Sequence, residues 1–469
     1  MELAIHTLGK LEGFELKQHI RNKGFIYSLL TVLLFTSLFI NFPTKASAVE
    51  LGLEAEAAIL IDANSGKILY ELNPDMTLPP ASMSKMMTEY LLLEAIHGKK
   101  VSWEQEVSIT DYVYRISQNT KLSNVPLRKD IKYTVKELYE SMAIYSANGS
   151  TIALAETIAG SETNFVKMMN DKAQELGMKD AKFVNSTGLN NSDLLGMHPK
   201  GTGETEENMM SPRSVAILAY SLLKDYPEVL ETASIPFKKF TKGIDGEGIS
   251  MLNWNAMLPD IPGYLQQFAY QGVDGLKTGS TALAGYCFTG TAERNGMRLI
   301  SVVMRTKSQY ARFEETKKLF DYGFSNFMEK ELFPADFGIK KQDVLKVEKG
   351  KEKEVEIASK EALKTVIKTN EDELYEPKIV FDKKALSEDG TLIAPVKKGQ
   401  KVGYLTYEYK GENNYGYLFD NGGSKEKVDI VTQSEVQKAN WFSLTMRAIG
   451  GFFADIWSSV AGGITGLFS

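Results

Sequence analysis

The chain has 469 residues, which exceeds the length of one ordinary domain and predicts two or three. With 43% hydrophobic and 24% charged residues, the composition is typical of a globular protein with a full core, and the net charge of −6 argues against nonspecific binding to nucleic acid. The single cysteine, Cys287, excludes an intrachain disulfide and a multi-cysteine metal site, and its apolar surroundings predict a small buried core residue.

The N-terminus has the pattern of a secretory signal peptide. Basic residues precede the apolar run 25–42, and Ala46-Ser47-Ala48 is a small-x-small cleavage site. The alternative is an uncleaved membrane anchor, since the run is nearly long enough to span a bilayer. We favour cleavage because the helix breaker Pro43 and the cleavage site follow directly. In either case we expect the bulk of the chain to lie outside the cytoplasm.

Strands are predicted at both ends of the segment 51–328, with helices between them. AAILIDANSGKILYEL is a hairpin that turns at 64–66, and GYCFTGTAERNGMRLISVVM is a second hairpin that turns at Asn295-Gly296. Three helices are predicted from their first residues: a capping box at Thr134 and Glu137, an N-cap at Ser161, and Ser211-Pro212. SQYARFEETKKLFDYGFSNFM is a fourth, amphipathic helix. This order predicts an antiparallel sheet with helices on its faces.

The C-terminal third of the chain has a different texture. Short, charged, alternating runs over 329–432 predict a small, mostly β domain, and they contain no catalytic constellation. In 433–469, apolar residues recur at spacings of three, four or seven, with few charges and several glycines. A helix packed on its own domain is one interpretation. We favour an amphipathic helix in a membrane interface, because the glycines weaken the helix in water.

The pattern Ser-x-x-Lys occurs three times, beginning at Ser82, Ser221 and Ser424, and spacing alone does not separate them. Only Ser82 follows a Pro-Pro-Ala entry and leads a long helical run, so we expect it at a helix N-terminus, where the dipole favours an oxyanion. The spacing places Lys85 on the same helix face. Burial or a second nearby cation would favour a neutral Lys85, which could then act as a base.

The four histidines offer no alternative base. Two precede the apolar run of the signal, His97 lies several turns beyond Ser82, and His198 lies in a glycine-rich loop. Neither G-x-S-x-G nor H-E-x-x-H is present. The sequence therefore argues against a Ser-His-Asp triad and leaves a serine–lysine mechanism, for which we expect no metal and no cofactor.

Two further motifs accompany Ser82. Ser146-Ala147-Asn148 lies between two predicted helices, whereas the similar Ser117-Gln118-Asn119 lacks that context. Lys277-Thr278-Gly279 is the only K-T-G in the chain and directly precedes the second hairpin. The order S-x-x-K, S-x-N, K-T-G is the active-site set of penicillin-recognising serine enzymes.

With these motifs the chain resembles the low-molecular-mass penicillin-binding proteins, the serine-type D-alanyl-D-alanine carboxypeptidases of bacterial cell-wall metabolism. Segments such as FVNSTGLNN and VDGLKTGSTALAGYCFTGTA are similar to family segments. The resemblance implies an α+β fold: a β-lactamase/transpeptidase-like catalytic domain, with an antiparallel sheet covered by helices and a helical cluster, followed by a small β domain and an amphipathic helix. The expected boundaries are 1–48 for the signal peptide, 49–328, 329–432, and 433–469 for the membrane-anchoring segment.

The resemblance also implies catalytic roles. Ser82 would attack the carbonyl of the penultimate D-Ala while Lys85 takes its proton. The backbone N–H groups of Ser82 and Ser280 would form the oxyanion hole. Ser146 would pass the proton to the departing D-Ala nitrogen, and Lys277 would support that network and keep Lys85 neutral by its like charge.

Substrate-binding roles follow from the same resemblance. Asn148 would hydrogen-bond the stem peptide, while Thr278 and Arg312 would bind the terminal carboxylate. Gly279 and Ser280 would complete the substrate-binding strand. The expected partners are peptidoglycan stem peptides, β-lactam antibiotics as covalent inhibitors, and the membrane surface, which places the enzyme on the extracytoplasmic face of the cell membrane.

The implied reaction is removal of the terminal D-Ala from peptidoglycan stem pentapeptides through an acyl-serine intermediate. A β-lactamase would need a deacylating base, usually in an E-x-x-L-N segment, and none occurs between Asn148 and Lys277. A DD-endopeptidase or transpeptidase would use the same catalytic residues and stays open. A non-catalytic wall-binding scaffold is the alternative from another class, although such sites usually lose a chemical group first.

Overall fold

The computed structural model describes residues 50–412, 415–419, 426–446 and 449. The predicted signal peptide, Ser424 and most of the predicted C-terminal helix lie outside these residues. Within the described part, no helix is long and apolar enough to cross a membrane.

The N-terminal region is built on an antiparallel five-stranded sheet in the order β2-β1-β9-β8-β7. Both predicted hairpins, β1–β2 and β8–β9, belong to it, and β7 is an edge strand. The strands of this region are β1 (Ala57–Asp62), β2 (Ile68–Leu72), β3 (Glu106–Val107), β4 (Tyr133–Thr134), β5 (Phe237–Phe240), β6 (Ile249–Leu252), β7 (Val273–Thr281), β8 (Gly285–Arg294) and β9 (Met297–Thr306).

The predicted helix starts are confirmed. Thr134 and Glu137 form the capping box, and the hydroxyls of Ser161 and Ser211 accept from the backbone N–H three residues later. The helices are α1 (Lys85–His97), α2 (Asp111–Ser117), α3 (Val135–Tyr145), α4 (Asn148–Ala159), α5 (Glu162–Glu175), α6 (Pro212–Asp225), α7 (Val229–Ala233) and α8 (Ala311–Asn326).

Both faces of the sheet are buried. Since alternate residues of a strand point to opposite sides, each strand contributes to two apolar clusters. Ile59 of β1 belongs to the same apolar cluster as Leu218 of α6, whereas Leu60 belongs to the cluster that includes Phe320 of α8. A third cluster joins α2, α3 and α4. Cys287 is fully buried in β8, as predicted, and burial raises the pKa of its thiol to about 11.

The C-terminal region is mostly β, as predicted. One six-stranded sheet has the order β14-β16-β17-β12-β11-β15, and β10 pairs with β13. Its strands are β10 (Phe327–Phe333), β11 (Val344–Glu348), β12 (Glu354–Ser359), β13 (Leu363–Lys368), β14 (Tyr375–Phe381), β15 (Leu392–Ile393), β16 (Lys401–Tyr409) and β17 (Val428–Thr432).

A buried lysine of the β1–β2 hairpin joins the two regions. Lys67 Nζ donates to the carbonyl of Val366 at 3.0 Å and lies 3.8 Å from the carboxylate of Glu426. It also lies 5.4–5.8 Å from three tyrosine ring centroids of the β-rich region: Tyr375, Tyr407 and Tyr415. This buried cation is one of several links between the regions, since the N–H of Ile68 also donates to the carbonyl of Gly416 at 2.8 Å.

Candidate active site

Ser82 lies in a 3₁₀ turn, Ala81–Ser84, immediately before α1. We predicted a helix N-terminus, so the location is correct to within one turn, although the turn is not α-helical. Ala81 has φ of +49°, a left-handed conformation that costs energy for a residue with a Cβ and often occurs at functional sites. Of the other two patterns, Ser221 lies near the C-terminal end of α6 and not at a helix start.

Lys85 is the first residue of α1, and its side chain is completely buried. Its Nζ lies 2.9 Å from Ser82 Oγ, 2.8 Å from Asn148 Oδ1 and 2.8 Å from the carbonyl oxygen of Thr187. Burial, and then the positive charge of Lys277, lower the pKa of Lys85 well below its ordinary value. The amine is therefore held towards its neutral form, the form that can accept a proton.

The three contacts of Lys85 also fix the direction of the proton. A neutral amine has two N–H donors and one lone pair. The oxygens of Asn148 and Thr187 can only accept, and Asn148 Nδ2 is committed to the carbonyl of Ser123 at 3.0 Å, which fixes the orientation of the amide. Both N–H groups are thus used, and the lone pair remains for the hydroxyl of Ser82. With Lys85 neutral the Ser82 hydroxyl donates to its lone pair, whereas a protonated Lys85 donates to Ser82 Oγ.

Ser146 lies between α3 and α4 with φ of +59°. Its Oγ is buried and has no hydrogen-bond partner among the described residues. Asn148 is the first residue of α4, so the S-x-N motif spans the gap between the helices. In the similar Ser117 motif, by contrast, the hydroxyl donates to the carbonyl of Tyr114 and accepts from the N–H of Leu127. Ser117 is a structural residue, whereas Ser146 retains a free hydroxyl.

Lys277 lies on the edge strand β7, as predicted, and is buried. Burial is the main cause that lowers its pKa to about 8, and the charge of Arg312 lowers it further, while Glu89 acts in the opposite direction. Its Nζ donates to the carbonyl of Thr278 at 3.3 Å. Two buried lysines thus share the site, and the charge of Lys277 favours the neutral form of Lys85.

Gly279 explains how β7 can approach the turn that carries Ser82. A Cβ at this position would lie 2.3 Å from the carbonyl oxygen of Pro80 and 3.2 Å from the backbone nitrogen of Met83. The glycine of the K-T-G motif is therefore required by close approach of two backbone segments. It brings the strand residues Thr278 and Ser280 alongside Ser82.

Arg312 lies in the first turn of α8 and is 4% exposed. No carboxylate of the described residues lies within ion-pair distance of it, and its Nη1 donates only weakly to the carbonyl of Gly279, at 3.5 Å. Burial lowers the pKa of the guanidinium to about 10. A buried cation without a counter-ion is costly, so the site favours an incoming anion.

These residues surround a cleft of about 90 Å³. Its walls include most of the predicted site residues: Ser82, Ser146, Thr278, Gly279, Ser280 and Arg312. The remaining three, Lys85, Asn148 and Lys277, are buried behind it. No group of metal-ligating side chains occurs in the described ranges. The structure thus brings together all nine residues that the sequence selected.

Sequence reasoning missed Thr187, whose carbonyl accepts from Lys85. Asn185 Oδ1 accepts from the N–H groups of Thr187 and Gly188, which holds this loop in a tight turn. Gly188 has φ of +80°, and a Cβ there would lie 1.9 Å from the carbonyl oxygen of Ala81. Asn-Ser-Thr-Gly is a recognisable turn sequence, but its proximity to Ser82 depends on tertiary packing.

Glu89, one turn after Lys85 in α1, was also missed. It is buried, and burial raises the pKa of its carboxyl to about 7, while the charge of Lys277 opposes the shift. It is thus the one acidic group that acts electrostatically on Lys277 among the causes resolved for that lysine. The spacing of four from Lys85 was its only signal in the sequence.

Comparisons with known proteins agree with this site. A family model described as D-alanyl-D-alanine carboxypeptidase matches residues 44–308, and one described as penicillin-binding protein 5, C-terminal domain, matches 327–438. D-alanyl-D-alanine carboxypeptidase DacF of Bacillus subtilis (strain 168) is 32% identical over 90% of this chain and 98% of its own. Among solved structures, PBP3 of Streptococcus pneumoniae has a TM-score of 0.69 at 35% identity, covering 82% of this chain and 99% of the other. Penicillin binding protein 5 of Haemophilus influenzae has a TM-score of 0.63 at 28% identity, with 82% and 98% covered.

Proposed function

This chain belongs to the D-alanyl-D-alanine carboxypeptidase family and is a serine-type D-alanyl-D-alanine carboxypeptidase; from that premise we propose which of its residues perform the reaction. Ser82 is the nucleophile and Lys85 the base. The contacts of Lys85 carry this assignment, since two carbonyl acceptors occupy its N–H groups and leave its lone pair for the Ser82 hydroxyl.

Acylation follows from this geometry. Lys85 takes the proton of Ser82 as Oγ attacks the carbonyl carbon of the penultimate D-Ala. The backbone N–H groups of Ser82 and Ser280 stabilise the oxyanion, a contribution of about 3 kcal/mol per donor in related chemistry. The C–N bond then breaks as the hydroxyl of Ser146 donates its proton to the leaving nitrogen and takes the proton held by Lys85 in exchange, while the charge of Lys277 stabilises the Ser146 oxygen during this transfer. Water hydrolyses the acyl-serine ester and restores Ser82.

Arg312 supports a carboxypeptidase over an endopeptidase. Its guanidinium lines the cleft with no carboxylate partner among the described residues, so a substrate with a free C-terminal carboxylate supplies the missing anion. Arg312→Gln should lower kcat/KM for a stem pentapeptide by about 10- to 100-fold, because a charged hydrogen bond contributes roughly 1.5–3 kcal/mol. The same peptide with a C-terminal amide should be a poor substrate of both proteins. Equal losses on acid and amide would contradict this role.

The assignment of the nucleophile has a matched control inside the motif. Ser82→Ala should lower pentapeptide trimming by at least about 10³-fold, as expected for loss of a nucleophile. Ser84→Ala should retain activity, since Ser84 Oγ is buried without a hydrogen-bond partner and does not line the cleft. Liquid chromatography of released D-Ala measures both. Trimming by Ser82→Ala at the wild-type rate would refute the assignment.

β-Lactams are proposed as covalent inhibitors of the same serine. The ring amide offers Ser82 a carbonyl for acylation, but its leaving nitrogen stays tethered in the adduct. The E-x-x-L-N segment that usually supplies a β-lactamase with its deacylating base is absent between Asn148 and Lys277. We therefore expect a long-lived adduct, and rapid turnover of penicillin would favour a β-lactamase.

The ends of the chain are proposed to place the enzyme at the membrane. Residues 1–48 act as signal peptide, 49–328 form the catalytic domain, 329–432 the β-rich domain and 433–469 the anchor. In support, residues 441–446 are helical, and Trp441 is 77% and Phe442 59% exposed. This arrangement puts the active site on the extracytoplasmic face. Deleting 433–469 should release the protein from membranes into the soluble fraction, and continued pelleting would contradict the proposal.

A further inference from the structure

A second cavity of about 210 Å³ adjoins the catalytic cleft. Trp254 and Gln309 line both cavities, so the two share a wall. We call the second cavity the neutral pocket, and its main further walls are Tyr145, Leu252, Tyr264 and Phe313.

The lining of the neutral pocket contains no charged residue. The polar groups of two of its aromatic walls, Trp254 and Tyr264, are already used. Trp254 Nε1 donates to the carbonyl of Tyr145 at 3.1 Å, and the hydroxyl of Tyr264 bonds that of Tyr310 at 3.2 Å. The Asn253 amide is likewise committed, to the carbonyls of Ala233 and Ile235. The pocket therefore suits an uncharged alkyl or aromatic group.

The neutral pocket lies next to Arg312, the residue proposed to bind the terminal carboxylate. Gln309 and Phe313 lie one turn before and one residue after Arg312, and the guanidinium carbon lies 4.8 Å from the centroid of the Phe313 ring. In a C-terminal residue, the carboxylate and the side chain are attached to the same Cα. A substrate whose carboxylate contacts Arg312 therefore has its last side chain within reach of Phe313 and the pocket.

We propose that the neutral pocket receives the side chain of the C-terminal D-residue, so that the enzyme releases D-amino acids with apolar side chains larger than the methyl of D-Ala. The inference rests on the proposed role of Arg312. The chemistry is unchanged: the same amide C–N bond breaks, Ser82 is acylated, the proton goes to the leaving nitrogen, and water hydrolyses the ester. The substrate class is stem peptides that end in residues such as D-Leu or D-Phe.

The test compares kcat/KM for three stem peptides that differ only in the last residue, D-Ala, D-Leu or D-Phe, by quantifying the released amino acid. We expect the rates for D-Leu and D-Phe to lie within about 10-fold of that for D-Ala, because the pocket has room for the larger side chains. In a pocket without such room, one extra methylene would lower the rate by about 10- to 200-fold. Ser250 lines the pocket from an exposed position of β6. Ser250→Trp should fill the pocket and lower the D-Leu and D-Phe rates by at least about 10-fold, leaving D-Ala unchanged.

Ser250→Ala is the control that adds no volume and should change none of the three rates. Leu252→Ala enlarges the pocket and should raise the D-Phe to D-Ala ratio, which keeps the inference testable if the tryptophan variant does not fold. A wild-type preference for D-Ala above about 100-fold would overturn it. So would a Ser250→Trp effect that depends on the third residue of the stem and not on the last one. Failure on D-Ala itself would refute the proposed function, whereas activity on D-Ala alone would refute only the pocket.

Discussion

Gly279→Ala is expected to disable the enzyme by moving the edge strand away from Ser82. The added Cβ would lie 2.3 Å from the carbonyl oxygen of Pro80, whereas ordinary contact begins near 3.4 Å. Since both atoms belong to backbone, relief requires a shift of about 1 Å between β7 and the Ser82 turn. A misplacement of about 1 Å can cost about 10²-fold in rate, or roughly 2.7 kcal/mol of transition-state stabilisation. Both acylation by penicillin and release of D-Ala should fall by about this factor.

The matched control for this change is Gly290→Ala on the neighbouring strand β8. A Cβ there would meet the ring of Phe288 at 2.8 Å and the hydroxyl of Ser301 at 3.2 Å, which are side-chain atoms of the core and not the backbone of the Ser82 turn. Stopped-flow acylation and thermal unfolding of both variants separate a local shift from loss of fold. A Gly279→Ala enzyme within threefold of wild type would refute the close-approach reasoning. Equal losses in both folded variants would refute it as well.

Three other predictions test the electrostatics and the core. The pH–rate profile should rise as Lys85 loses its proton and fall above about pH 8, where Lys277 becomes neutral. Lys277→Arg should remove the fall at high pH, and a fall that persists in this variant would contradict the assignment. Lys67→Met should destabilise the contact with the β-rich region by about 3 kcal/mol and split calorimetric unfolding into two transitions, with kcat/KM unchanged. Adding Glu426→Gln to the same chain should restore part of the lost stability. A single unshifted transition would refute this role of Lys67. Thiol reagents should leave Cys287 unmodified in the native enzyme, since it is buried and its pKa is raised to about 11, and rapid modification would contradict that burial.

The sequence was sufficient to select the residues that the structure brings together because its motifs are short and ordered. Ser82 and Lys85 were distinguished among three equal patterns by the Pro-Pro-Ala entry, and Ser146 by its place between two helices, the first of which begins with a clear capping box. These are local features, which a single sequence displays. The antiparallel sheet followed from the two hairpins in the same way.

Features that depend on tertiary packing could not be predicted. The 3₁₀ turn at Ser82 requires a positive φ at Ala81, which no local propensity favours for alanine. The Thr187 carbonyl reaches Lys85 only because Gly188 lets its loop approach the backbone of Ala81. Glu89 lies on a helix whose residues are nearly all buried, so no amphipathic pattern distinguished it.

The central claim is that Ser82 is the residue acylated by both substrate and antibiotic. The most direct test incubates the chain without residues 1–48 with a stem pentapeptide and, separately, with penicillin, and records intact and peptide masses with and without Ser82→Ala. We predict tetrapeptide product and a penicillin adduct on the peptide that contains Ser82, both absent from the variant. An adduct on another residue, or trimming by the variant, would contradict the account.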